Sequence, residues 1–200
     1  MKRARWMVVV LACVVCAAVL AQGQTRRVRG EVTAIDGNVL HVTTREGDKL
    51  DVRLDDKYTV TAVVKVGIDA IKPGAYVGTA TLPSADGTQR ALEVLVFPES
   101  GRGSGEGHYP WDLQPGSMMT NATVAEVVML DKERRMTLKY KDGQQVVVVP
   151  EGVPIVTFEP GDRAMLRPGA HVLFGATPQS DGSFTAARVS VGKDGLVPPM

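Results

Sequence analysis

Cysteine is confined to two positions, Cys13 and Cys16, and both lie in one apolar run near the N-terminus. A chain processed beyond that run keeps no thiol, which excludes a disulfide framework, a thiolate zinc site and a thiol nucleophile. Aromatic residues make up only 5% of the sequence. Outside the N-terminal run the Tyr and Trp residues are Tyr58, Tyr76, Tyr109, Trp111 and Tyr140, too sparse for a base-stacking platform. There is no long block of like charge, so neither a nucleic-acid arm nor a disordered acidic tail is indicated. No amphipathic helix of useful length can be traced past residue 21. Histidine is limited to His41, His108 and His171.

The N-terminus carries the most specific signal. Lys2, Arg3 and Arg5 form a positive segment, and Trp6 to Leu20 follow without a charge. Val19-Leu20-Ala21 then precedes Gln22-Gly23-Gln24, with residues of the size a signal peptidase reads. Residues 1–21 are therefore expected to be a secretory signal helix that is cleaved. An uncleaved anchor is the alternative, but the apolar run is short of the ~20 residues a spanning helix needs. Lipidation at Cys13 is disfavoured by the bulky Leu11. Cleavage after Ala21 changes the formal charge from +1 to −2. The expected product is periplasmic or secreted, has no membrane span, and lacks the basic surface that nucleic acid requires.

Two segments then read as copies of one small all-β unit. In residues 27–99, β-rich runs cover Val28–Ile35, Val39–Thr44, Leu50–Leu54, Tyr58–Val66, Ala75–Leu82 and Ala91–Phe97. Asp36-Gly37-Asn38, Glu46-Gly47-Asp48 and Asp86-Gly87 supply turns, and a single helical turn at Ile68–Lys72 is stopped by Pro73-Gly74. Residues 121–193 repeat the plan. Ile71-Lys-Pro-Gly-Ala75 is matched by Leu166-Arg-Pro-Gly-Ala170, Asp86-Gly87 by Asp181-Gly182, and Ala91-Leu-Glu-Val94 by Ala186-Ala-Arg-Val189. All three matches share an offset of 95 residues, the signature of an internal duplication. The fold expected is two tandem, five-stranded OB-like barrels, each with a short helical turn. Residues 100–120 form the linker and 194–200 a C-terminal tail.

The combination of Gly30-Glu-Val32, the Asp-Gly corners, Leu/Ile-Lys/Arg-Pro-Gly-Ala and the closing Ala-x-x-Val resembles exported bacterial repeats, a family catalogued only as a domain of unknown function. The resemblance implies OB-like barrels and an envelope location. It brings no catalytic residues with it. The second copy departs from the pattern in a longer first hairpin around Leu130–Arg135.

The linker changes character midway. Gly101-Arg-Gly-Ser-Gly105 would leave two domains free to tumble, whereas His108-Tyr-Pro-Trp-Asp112 supplies apolar surface that ties the second half down. Ser104 lacks the spacing of a nucleophile elbow, and the glycines make neither a dinucleotide fingerprint nor a P-loop. No catalytic constellation emerges, so an enzyme is not expected and no cofactor is required. The reading is a binding or scaffold module of the bacterial envelope, holding a protein or glycan through His108, Tyr109, Trp111 and Asp112. The alternative is a periplasmic metal-binding protein, in which His108, Asp112, Met118 and Met119 would hold copper through imidazole and thioether ligands.

Overall fold

A computed structural model describes residues 24–130 and 133–200. The expected signal segment and both cysteines lie outside the described residues. The chain is all-β, with strands β1 (Arg26–Asp36), β2 (Val39–Thr44), β3 (Lys49–Lys65), β4 (Tyr76–Pro83), β5 (Gln89–Ala91), β6 (Val94–Val96) and β7 (Gly107–Pro110). The second half adds β8 (Met118–Leu130), β9 (Glu133–Tyr140), β10 (Gly143–Val149), β11 (Ile155–Pro160), β12 (His171–Pro178) and β13 (Phe184–Gly192). Short 3-10 turns at Ile68–Ala70 and Arg163–Met165 precede β4 and β12. No helix among the described residues is long and apolar enough to cross a membrane.

The alternation read from the sequence is realised in β2, where Leu40, Val42 and Thr44 turn inward and Val39, His41 and Thr43 outward, as a pleat with one buried face requires. β1, β2, β3, β13 and β12 close into a five-stranded barrel through the β3–β13 pairing. Its interior holds Val28, Val32, Leu40, Val42, Val52, Leu54, Leu166, Phe174 and Val189. Gly30 sits where β1 passes closest to β2. A Cβ there would lie 2.3 Å from the Thr43 carbonyl oxygen, so only glycine allows the approach.

Closure does not follow the repeats, which corrects the expectation of tandem barrels. The barrel takes β1–β3 from the first copy and β12 and β13 from the second. The remaining halves pair reciprocally: β4–β5, β5–β10, β10–β9, β9–β8 and β8–β4 also return on themselves. The two sets correspond residue for residue. Val52 faces Phe184 in one and Val147 faces Gln89 in the other, each pair related by the offset of 95. Gly74 and Gly169 share φ +84°, and Gly87 and Gly182 share φ +82°.

The halves meet where β3 pairs with β11. Val63 lies opposite Phe158, its own counterpart in the second copy, so a pseudo-twofold axis passes through that pair. A third apolar cluster of Val63, Leu95, Val156 and Met200, with Phe97, Phe158, Leu173 and Leu196 against it, occupies this junction. β3 continues as strand through Asp55-Asp56, between the β-rich runs read at Leu50–Leu54 and Tyr58–Val66, although its pairing with β13 shifts register there, between Leu54 and Thr59. That continuity carries the chain out of the first barrel and into the junction.

Candidate functional site

The second half of the linker is tied to β1. Arg27 and Arg29, two residues apart on a strand, project from the same outer face. Arg27 Nη1 donates to one carboxylate oxygen of Asp112 at 2.7 Å, and Arg29 Nη2 donates to the other at 2.7 Å. The Arg27 guanidinium also lies 3.7 Å from the centre of the Trp111 ring, a stacked cation–π contact. Tyr109 meets Trp111 edge-on, with ring centres 6.0 Å apart. Partial burial pushes the Asp112 carboxyl up, but the hydrogen bonds from Arg29 and Arg27 outweigh it and hold the group below the usual carboxylate range. Of the residues singled out in the sequence, Tyr109, Trp111 and Asp112 are thus brought together. Arg27 and Arg29, which bind Asp112, were not identifiable from the linker alone.

His108 belongs to a different environment. Its Nδ1 is 2.8 Å from the Thr120 hydroxyl, and its ring stacks on Tyr140. Met119 is buried opposite Tyr109, while its neighbour Met118 projects from the other face of β8. Asp112 is already bonded to two arginines. His108, Asp112, Met118 and Met119 therefore do not converge on one point. Among the described residues no group of three His, Cys, Asp or Glu side chains is placed to hold a metal ion.

Beside the Arg–Asp cluster a groove of about 410 Å³ opens on the outer face of the barrel. Its floor is Arg29, Glu31, Thr33, Thr43, Arg45 and His171, from β1, β2 and β12. The tail at Val197 and Pro198 forms a wall, held by Arg45 Nη2 to the Pro198 carbonyl (3.1 Å) and Arg29 Nε to the Met200 carbonyl (2.6 Å). Arg45 is pushed below the usual guanidinium value by burial first and by the adjacent Arg29 charge second.

A buried carboxyl is the feature that the sequence reading missed. Glu93 has no solvent exposure. It stands between β5 and β6, where the ladder to β4 is interrupted. The Ala80 amide there donates to Glu93 Oε1 at 2.8 Å, and the Thr79 hydroxyl donates to the Glu93 carbonyl at 2.6 Å. Oε2 has no partner. Burial pushes this carboxyl up to about 8, against opposing contributions from the Ala80 amide and the Arg29 charge. A signal was present in the sequence: Glu93 corresponds to Arg188, which is exposed. An acid amid Ala91–Phe97 departs from the duplication.

The two better-placed histidines diverge for physical reasons. His41 Nδ1 is 2.6 Å from Asp51 and Nε2 is 3.1 Å from Asp36. The Asp51 hydrogen bond leads the causes that raise its pKa above 6.5. Burial lowers that of His108. Proton NMR titration is expected to show His41 protonating at higher pH than His108, with the gap narrowed in Asp51→Asn. Coincident titrations would contradict both contacts.

No family model, no curated protein and no solved structure matches this chain.

Proposed function

We propose that the protein is an exported, non-enzymatic binding or scaffold module of the bacterial envelope, built from two OB-like barrels that each take strands from both repeats. The N-terminal segment supports the location: a positive start, an apolar run and small or medium residues before position 22. The reciprocal pairings support the second barrel. It would resemble the first in register and would be formed by β4, β5, β8, β9 and β10.

One observation carries the binding reading. The linker is clasped to the barrel by Arg27, Trp111, Asp112 and Arg29 directly beside an open groove, so the arrangement holds a recognition face rigid. Preorganisation of this kind lowers the ordering cost of association. The face is composite, since β1 and β2, the linker and the tail all contribute to it. A partner, either an envelope protein or a glycan, would therefore read the assembled fold and not a single loop.

Native mass spectrometry of the protein from its host's periplasmic fraction tests this. The expected result is a mature mass lacking residues 1–21, with a bound protein or glycan that is lost in Arg27→Ala/Trp111→Ala. Recovery in the cytoplasm with the N-terminus intact would overturn the location. A partner retained fully by the double variant would remove the clasped face from the reading. Turnover in a broad hydrolase screen would overturn the non-enzymatic assignment.

A further inference from the structure

We propose that the groove on the outer face of the first barrel binds a small oxyanion, a carboxylate or phosphate group, between the guanidinium groups of Arg29 and Arg45. The inference rests on the reading of this face as a recognition surface and adds the chemistry it selects.

The duplication provides an internal comparison. Counting through the pairings, Arg29 corresponds to Asn121, His171 to Tyr76 and Thr44 to Tyr140, while Met200 corresponds to Gly105. The contact that anchors the tail, from Arg29 Nε to the Met200 carbonyl, has a counterpart in the bond from Asn121 Nδ2 to the Gly105 carbonyl at 3.1 Å. The same backbone strap therefore crosses the same place in both copies. In the second copy the space beneath it is filled from within. Asn121 also reaches the Ser104 carbonyl and the Tyr109 hydroxyl, and the Tyr76 hydroxyl donates to the Ser104 carbonyl. The side chains doing the filling are neutral. In the first copy the equivalent place is an open groove of about 410 Å³, and the neutral Asn121 is replaced by Arg29, with Arg45 beside it.

Two adjacent guanidinium groups repel each other, and here the compensation is partial. Arg29 has Asp112, shared with Arg27, and a main-chain oxygen of Met200; Arg45 has the Pro198 carbonyl and the charge of its neighbour Glu46. Glu31 is the carboxylate on the lining, two residues along β1 and opposite His171 in register. An oxyanion placed between Arg29 and Arg45 would relieve the repulsion, and the planar fork of each guanidinium suits paired oxygens. Thr43 on the same lining, which turns outward, offers a neutral donor.

The test is thermal unfolding of the whole protein with increasing sodium phosphate or sodium citrate, against sodium chloride at equal ionic strength. Wild type is compared with Arg45→Gln, Arg45→Lys and a control, Arg188→Gln, which lies on β13 outside the groove lining. A specific anion raises the melting temperature according to its concentration over Kd. Wild type and Arg188→Gln are expected to show a saturable rise with at least one of the two anions. Arg45→Gln should raise the apparent Kd at least tenfold, and Arg45→Lys should fall between. A response to phosphate alone would assign a phosphate-bearing ligand, and one to citrate alone a carboxylate. No rise with either anion, or an equal rise in Arg45→Gln, would overturn the proposal. If the anions fail while native mass spectrometry still finds a partner released by Arg27→Ala/Trp111→Ala, the recognition face stands and only its anion chemistry is wrong.

Discussion

Glu93→Gln is expected to stabilise the protein at pH 8 and above and to abolish a pH-dependent loss of stability between about pH 4.5 and 8. The folded carboxyl keeps its proton up to about pH 8, whereas the ordinary value is 4.5. Between those values the folded state holds a proton that the unfolded chain has released. Stability therefore falls as pH rises through the window, is level below it, and levels again above it. Each tenfold change in proton affinity is worth about 1.4 kcal/mol, so the full window amounts to as much as ~5 kcal/mol. That is a large part of a typical folding free energy, which is roughly 5–15 kcal/mol. The Gln side chain still accepts from the Ala80 amide but places an NH2 where Oε2 has no partner, at a cost of about 1–3 kcal/mol. At pH 5 the variant should consequently be equal to or somewhat weaker than wild type, and above pH 8 it should be stronger by a few kcal/mol. Urea unfolding of both proteins from pH 4.5 to 9 measures the difference, in which all other titrations cancel. Parallel curves would mean that Glu93 is ionised in the fold and that its burial is compensated by a group yet to be recognised.

Much of the fold was legible because it is written in short-range chemistry. Pro73-Gly74 and Pro168-Gly169, Asp86-Gly87 and Asp181-Gly182, and the alternation of Leu40, Val42 and Thr44 fix turns and faces within a few residues of themselves. The expectation of a duplication rests on their common spacing of 95 residues. The partner of each half was not legible. Identical register is satisfied whether β1 pairs with β4 of its own copy or with β12 of the other, so the turn signals and buried faces are the same in both arrangements. The deciding feature is that β3 continues through Asp55-Asp56 to Lys65, where solvated charges do not end the strand. Charge there marks a bulge in the β3–β13 ladder, where Asp55, Asp56 and Lys57 are all exposed. The site was divided in the same way. The linker composition pointed to Tyr109, Trp111 and Asp112, but Arg27 and Arg29 lie far away in sequence and meet Asp112 only in the folded chain.

Cutting the backbone between Gly103 and Ser104, through an engineered protease site, is expected to leave one particle of unchanged mass under native conditions. Gly103 is exposed with φ +84° in the glycine-rich half of the linker, so the insertion falls where backbone pairing is least disturbed. Tandem barrels joined by a linker would come apart on dilution unless their interface were large. Here each half lacks the strands that close its ring. Residues 24–103 alone would forfeit the pairings of β1 with β12 and of β3 with β13, and would expose Val28, Val32, Leu40 and Val52 along an open edge. The nicked protein should hold together at nanomolar concentration, and after the cut its melting temperature should depend on protein concentration, as for any obligate assembly. Two half-mass species in native mass spectrometry without denaturant would sink the exchanged pairing. The pseudo-twofold axis at Val63 and Phe158 adds a further expectation for the separated halves. Each carries both sides of a self-complementary arrangement, so residues 24–103 in isolation should fold only as a dimer, one copy supplying β4–β6 where the intact chain supplies β12 and β13.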